Sequence, residues 1–290
     1  MFTTVIGSYP LKYEEMGREA VVTSVADQLE AGIDVVSDGQ TRYDMIEYFA
    51  RAIEGYRYDG KSRVTGKVGR GRADLLLEDL EVAKGMAPQV KGIVTGPVTL
   101  VFSSLIEAHY HGYRDDRVYL DTAEALLQIA LELERTGVAW VQIDEPFLSV
   151  GAPANVARRA VELISTNLKI PVALHVCGRV VPIFRELLKW KGLAMLSHAF
   201  MGDNNLELLD FPETVSSDRM LGLGCIDTKD NRVEDAEKVA DLIQTAMGKL
   251  PADRLAIHPD CGLRMLTRDV ALGKLKQMSA ALARVRNQQT

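Results

Sequence analysis

Eight short apolar runs rich in β-branched residues punctuate the chain, at 4–7, 34–37, 92–95, 139–143, 172–175, 193–196, 221–226 and 254–257. Their near-continuous hydrophobicity is that of strands buried on both faces, as in a parallel sheet. Parallel neighbours need long crossovers, and helices usually supply them. Amphipathic stretches of helical period do lie between the runs, at 21–31, 123–136, 154–168, 183–190, 233–250 and 269–285. Gly32 and Gly137 follow two of them, where a left-handed residue would stop a helix. The alternation predicts an α/β protein, a (β/α)8 TIM barrel forming a single domain over residues 1–290. A doubly wound open sheet is the other architecture that such an alternation permits.

Two stretches break the rhythm and are expected to be loop or short-hairpin insertions after the second and third strands. Residues 56–72 concentrate Lys61, Arg63, Gly66, Lys67, Gly69 and Arg70, and residues 103–121 hold His109, Tyr110, His111 and Tyr113. The basic run reads as a solvated face rather than an anion site. With 34 Lys+Arg against 40 Asp+Glu the net charge is −6, which argues against a nucleic-acid binder. The first residues lack a basic region followed by a long apolar run, and no stretch reaches the roughly 18–20 apolar residues of a membrane span, so a cytoplasmic location is expected. Three cysteines in 290 residues read as thiols or ligands rather than bridges.

In a barrel the chemistry sits where the strands end, so the polar residues closing each run matter most. In order they include Gly7-Ser8, Asp38-Gly39-Gln40, Thr95-Gly96-Pro97, Asp144-Glu145-Pro146, His175-Val176-Cys177-Gly178, Ser197-His198, Asp227-Thr228-Lys229 and His258-Pro259-Asp260-Cys261-Gly262. His175 and Cys177 are two apart, so on an extended segment both side chains point the same way. Cys261 follows the last run, which closes a barrel beside the first. One imidazole and two thiolates suit zinc, whose tetrahedral habit accepts mixed N and S ligands. A buried cysteine beside a core histidine is the plainer alternative.

These residues resemble the catalytic C-terminal domain of cobalamin-independent methionine synthase, and more closely the short archaeal and bacterial core enzymes that consist of that domain alone. The similar motifs are Ile6-Gly7-Ser8-Tyr9-Pro10, the stretch from Asp38-Gly39-Gln40 to Glu47-Tyr48-Phe49, Gln142-Ile143-Asp144-Glu145-Pro146, Leu174-His175-Val176-Cys177-Gly178 and Pro259-Asp260-Cys261-Gly262-Leu263. They span nearly the whole chain in the family's order. The resemblance implies a (β/α)8 barrel and a catalytic zinc held by His175, Cys177 and Cys261, together with a glutamate after the sixth strand. That glutamate is absent: the short members read His-Glu-Phe where this chain has His198-Ala199-Phe200. Water, the substrate thiol or a neighbour such as His198 is left to complete the set.

The resemblance further implies homocysteine as the acceptor, with its carboxylate at Gly7 and Ser8 and its amino group at Asp144. Gln40 stands where the larger enzymes have a glutamate on the same substrate. It keeps the hydrogen-bonding shape and loses the charge. Lys229 stands where the full-length enzymes have a histidine proposed to protonate the departing folate nitrogen, and is expected to be catalytic with Asp144. The short forms take methyl from a methylated corrinoid, so methylcobamide is expected as co-substrate, from solution or from a corrinoid protein partner. Two alternatives stay open: a zinc transferase acting on another thiol, such as a sulfonate thiol, or using a methyltetrahydrofolate-type donor, and a non-catalytic paralogue that binds a corrinoid protein.

Overall fold

The computed structural model describes residues 1–203 and 205–288. Among the described residues ten strands form two sheets: β1 (Phe2–Thr3), β2 (Tyr56–Tyr58), β3 (Ser62–Val64), β4 (Gly92–Thr95), β5 (Ser104–Ile106), β6 (Val141–Asp144), β7 (Val172–Val176), β8 (Met195–Ala199), β9 (Met220–Gly224) and β10 (Leu255–His258). The main sheet is parallel throughout, with seven strands in the order β1-β10-β9-β8-β7-β6-β4. Six of the eight apolar runs overlap its strands; the seventh strand, Phe2–Thr3, lies just ahead of the run at 4–7, of which only Thr4 makes a bridge. The run at 34–37 forms no strand. It meets the two edges of the sheet at single residue pairs, Thr4 with Val35 and Val36 with Val90.

The expected helices form with shifted ends, among them Arg18–Glu30, Asp116–Arg135, Ala154–Ser165, Ala236–Met247 and Arg268–Asn287. Gly32 and Gly137 take φ of 77° and 78°, the left-handed stop read from the sequence. Among the described residues no helix is long and apolar enough to cross a membrane.

The two insertions are not independent loops. Residues Tyr56–Tyr58 and Ser62–Val64 make an antiparallel hairpin, and β3 then pairs in parallel with β5 from the second insertion. A hydrogen bond between the Ser62 and Ser104 hydroxyls, 2.6 Å long, fastens this three-stranded sheet.

Strand alternation sorts the main sheet into two faces. Val141, Ile143, Leu174, Leu196, Leu223, Leu255 and Ile257 join the large core shared with the helices. The other face carries a small apolar cluster of Val35, Trp140, Ala173, Met195 and Ala256. Further along the same alternation come Gln142, Asp144, His175, Ser197 and His258, all buried. An apolar plug therefore underlies a polar layer at the carboxyl ends of the strands.

Candidate metal and substrate site

His175 lies in β7, Cys177 just beyond it, and Cys261 three residues past β10. Their ligand atoms all lie within 4.8 Å of one another. Both thiols are free and partly buried. The Nε2 atom of His175 is buried without a hydrogen-bond partner. An orphaned imidazole nitrogen beside two thiols is the donor set that a zinc ion satisfies, so the residues present fit the metal. Cys177 donates a hydrogen bond to Cys261, which raises the Cys177 thiol and holds Cys261 below its ordinary value. Burial keeps His175 well below 6.5, and hence neutral, as a ligand must be.

The position that lacks its glutamate is on the inward face. Val176 pairs with His198 in the register of β7 and β8, so Ala199 comes next, beside Cys177. His198, on the opposite face by alternation, has Nδ1 3.0 Å from the Val176 carbonyl and its ring edge-on to Phe184 at 5.5 Å. His198 is therefore not a fourth ligand, contrary to one expectation above.

A cavity of about 240 Å3 opens above these three residues and is lined also by Ser8, Gln40, Asp144 and Arg264. Ser8 comes from the turn after β1, and Gly7 permits the packing there. A Cβ on Gly7 would fall 2.7 Å from Gln40 Oε1. Gln40 itself has φ of 44°, in the left-handed region that a side chain rarely adopts. Arg264 holds this turn by donating to the carbonyls of Gln40 and Tyr43, while its buried Nε has no partner.

Asp144 is fixed from below. Gln142 Nε2 donates to Asp144 Oδ1 at 2.7 Å and to the Ile6 carbonyl at 2.8 Å, and Gln142 Oε1 accepts from Lys91 at 2.5 Å. Burial drives Asp144 up and Lys91 down, while their mutual attraction opposes both shifts. The neighbouring Glu145 is structural. It accepts from the backbone N–H groups of Val98 and Thr99 and from the Thr99 hydroxyl, at 2.7–2.9 Å, and so caps the helix Pro97–Phe102.

Asp38, expected only as a strand end, is buried beside Asp79, and burial pushes it up to about 7. An unfolded aspartate titrates near 3.9, so the folded state holds this proton more tightly and loses relative stability as pH rises from about 4 through 7. The full difference is at most about 4 kcal/mol at roughly 1.4 kcal/mol per pH unit. Asp38→Asn keeps an oxygen for the Gln40 N–H. It should flatten the decline in stability between pH 5 and 8 in urea titrations; an unchanged slope would exclude Asp38 as its source.

Of the residues singled out from sequence, Ser8, Gln40, Asp144, His175, Cys177 and Cys261 meet at the cavity, with Gly7 beside it. Lys229 does not line it. Its side chain is 66% exposed and ion-paired with Asp203, whose other oxygen accepts from the Gly178 N–H. That placement gives Lys229 a part in holding the loop after Cys177. Arg264 and Met265 are cavity residues that sequence reasoning missed, although they follow directly on the Cys261 motif.

Residues 11–284 match the family described as "Cobalamin-independent synthase, Catalytic domain". The methionine synthase of Methanothermobacter thermautotrophicus is 39% identical, over 97% of this chain and 99% of its own length. That of Methanocaldococcus jannaschii is 37% identical over 97% and 98%. A B12-independent methionine synthase from Shewanella sp. W3-18-1, solved in complex with selenomethionine, superposes with a TM-score of 0.86 at 26% identity, covering 99% of this chain and 98% of that one. Fold, site and relatives together define a methyltransferase. The chain belongs to the cobalamin-independent methionine synthase family.

Proposed function

We propose that this chain methylates the sulfur of homocysteine to give methionine, on a closed (β/α)8 barrel that residues 34–37 complete, with zinc held by His175, Cys177 and Cys261. The observation that carries the reading is the bare Nε2 of His175 next to two thiols beneath a polar cavity. The relatives named methionine synthases support the acceptor. When bound, zinc supplies Lewis acidity that lets a thiol with an ordinary pKa of about 8.5 give up its proton at neutral pH.

The chain's own residues bind and orient the amino acid. Ser8 and the backbone at Gly7 receive the carboxylate, and Asp144, held by Gln142, receives the ammonium. Gln40 adds a neutral hydrogen-bonding group at the same wall, and the unpartnered Arg264 Nε adds a donor. Fixing both ends of the amino acid leaves the sulfur directed at the cavity floor. Proximity and alignment then supply much of the rate. In the transfer the sulfur forms a bond to methyl, the donor's bond to methyl breaks with its electron pair left on the donor, and the thiol proton goes to solvent. Ala199 offers no donor atom, and three protein donors are the number a catalytic zinc takes.

The corrinoid donor and corrinoid-protein partner expected from the sequence gain no support from a family described as cobalamin-independent. Methylcobalamin and methyltetrahydrofolate should therefore be assayed side by side, with homocysteine and 2-mercaptoethanesulfonate as acceptors. The expected result is about one zinc per chain by elemental analysis and methionine formed from homocysteine with one of the two donors. Turnover of the sulfonate thiol alone, or no zinc uptake on reconstitution, would overturn the assignment.

A further inference from the structure

Beneath the three ligands runs a buried chain of hydrogen bonds that no ligand assignment uses. His175 Nδ1 lies 2.9 Å from Ser197 Oγ, Ser197 Oγ 2.9 Å from His258 Nε2, and His258 Nδ1 2.7 Å from the carbonyl of Pro259. All three side chains are buried. Neither Ser197 nor His258 lines the cavity.

Only one end of the chain is fixed, and it fixes the rest. A carbonyl oxygen only accepts, so His258 Nδ1 carries a proton. A neutral imidazole carries one, which leaves His258 Nε2 as an acceptor. The single proton of the Ser197 hydroxyl then points to His258, and its oxygen is free to accept from His175 Nδ1. The last member, His175 Nε2, is left without a proton, and it is the atom found buried and unpartnered beside Cys177 and Cys261. Free histidine prefers its proton on Nε2, so the chain selects the less favoured tautomer, the one able to bind a metal through Nε2.

The strands leave space for this link. β8 and β10 are not neighbours, since β9 lies between them. Contact between Ser197 and His258 crosses Gly222 of β9, where a Cβ would fall 2.6 Å from His258 Nε2 and 2.7 Å from Ser197 Cβ. We infer that Ser197 and His258 are positioning residues that set the proton of His175, through a chain anchored on the Pro259 carbonyl, so that Nε2 is presented bare to the metal. The inference deepens the zinc reading and rests on it for its purpose, though the tautomer itself does not need a metal to be observed.

The test uses the full chain, with 15N-labelled histidine, first without metal. Nitrogen NMR should show His175 protonated on Nδ1 and bare on Nε2; the opposite pattern overturns the inference. Zinc affinity is then read by competition with a chromophoric chelator. His258→Leu, which keeps bulk and removes the acceptor, and Ser197→Ala should each weaken zinc about 10–100-fold, the usual effect of losing a partner that orients a ligand. His258→Gln, with an acceptor at one end of its amide and a donor at the other, should retain wild-type affinity. A role confined to packing would make the Leu and Gln variants alike, and that result also overturns the inference. Wild-type protein with the expected tautomer and no zinc uptake would reject the zinc reading while leaving the proton assignment standing.

Discussion

Cys261→Ser should release the metal and reduce methyl transfer by more than about a hundredfold, because losing a ligand itself exceeds the 10–100-fold typical of its supporting partners. Serine is nearly isosteric, but its hydroxyl stays protonated at neutral pH, whereas the metal takes a thiolate. The half-buried site would keep His175 and Cys177, two donors instead of three. The control is Cys225→Ala. Cys225 is fully buried in the main core, where burial raises its thiol well above the ordinary value. That variant should lower stability modestly and leave zinc per chain unchanged. Elemental analysis of both variants decides: zinc retained by Cys261→Ser at wild-type stoichiometry would remove Cys261 from the site.

The largest stability effect should come from Asp260→Ala. Asp260, next to Cys261, accepts from three successive backbone N–H groups, those of Phe200 at 3.0 Å, Met201 at 3.2 Å and Gly202 at 2.6 Å. One carboxylate from the end of β10 thus shapes the turn that follows β8. Truncation strands the Met201 and Gly202 donors at up to roughly 1–3 kcal/mol each, while the Phe200 N–H keeps a second acceptor, the Gly224 carbonyl at 3.0 Å. Met201 and Gly202 border solvent, so water recovers part of both losses. A total of about 1–3 kcal/mol follows, a sizeable share of the 5–15 kcal/mol of a typical domain. Urea denaturation should show the midpoint falling at unchanged slope. Asp260→Asn, with one oxygen left to accept, should fall in between. A loss below about 0.5 kcal/mol for the alanine variant would mean that the turn is held by something else.

Much of this was legible in the sequence for a physical reason. Strands buried on both faces carry few polar positions before their last residues, Gln142 in β6 being an exception, so the apolar runs announced the sheet and the polar residues closing them announced the site. The run at 34–37 carries the same signal but makes only single bridges, because pairing depends on what lies on either side and not on composition. The union of the two insertions was hidden for a similar reason. Ser62 and Ser104 are 42 residues apart, and nothing local in either segment names the other.

Within the site, the candidate ligands were legible through their chemistry, whereas the residues that support them were not. Ser197 and His258 stood among the strand ends, but their connection crosses a third strand at Gly222 and exists only in the fold. Lys91 precedes an apolar run and gave no sign that it would be buried against Gln142. Lys229 was misleading because sequence placed it near the right strand end, and only its bond to Asp203 shows where the side chain goes.

The sheet order has one more consequence. β7 carries His175 and β10 leads into Cys261, with β9 and β8 between them. Across a flat sheet, three spacings of about 4.8 Å would hold β7 and β10 roughly 14 Å apart. Their ligand atoms nevertheless lie within 4.8 Å. The rings of His175 in β7 and His258 in β10 are themselves only 6.0 Å apart, so the sheet is curled with side chains reaching across its hollow, and an ion held there would act as a tie-rod across the arc. Metal affinity then becomes a gauge of curvature, and a change that flattens β8 and β9 will loosen the ion without touching any atom that binds it.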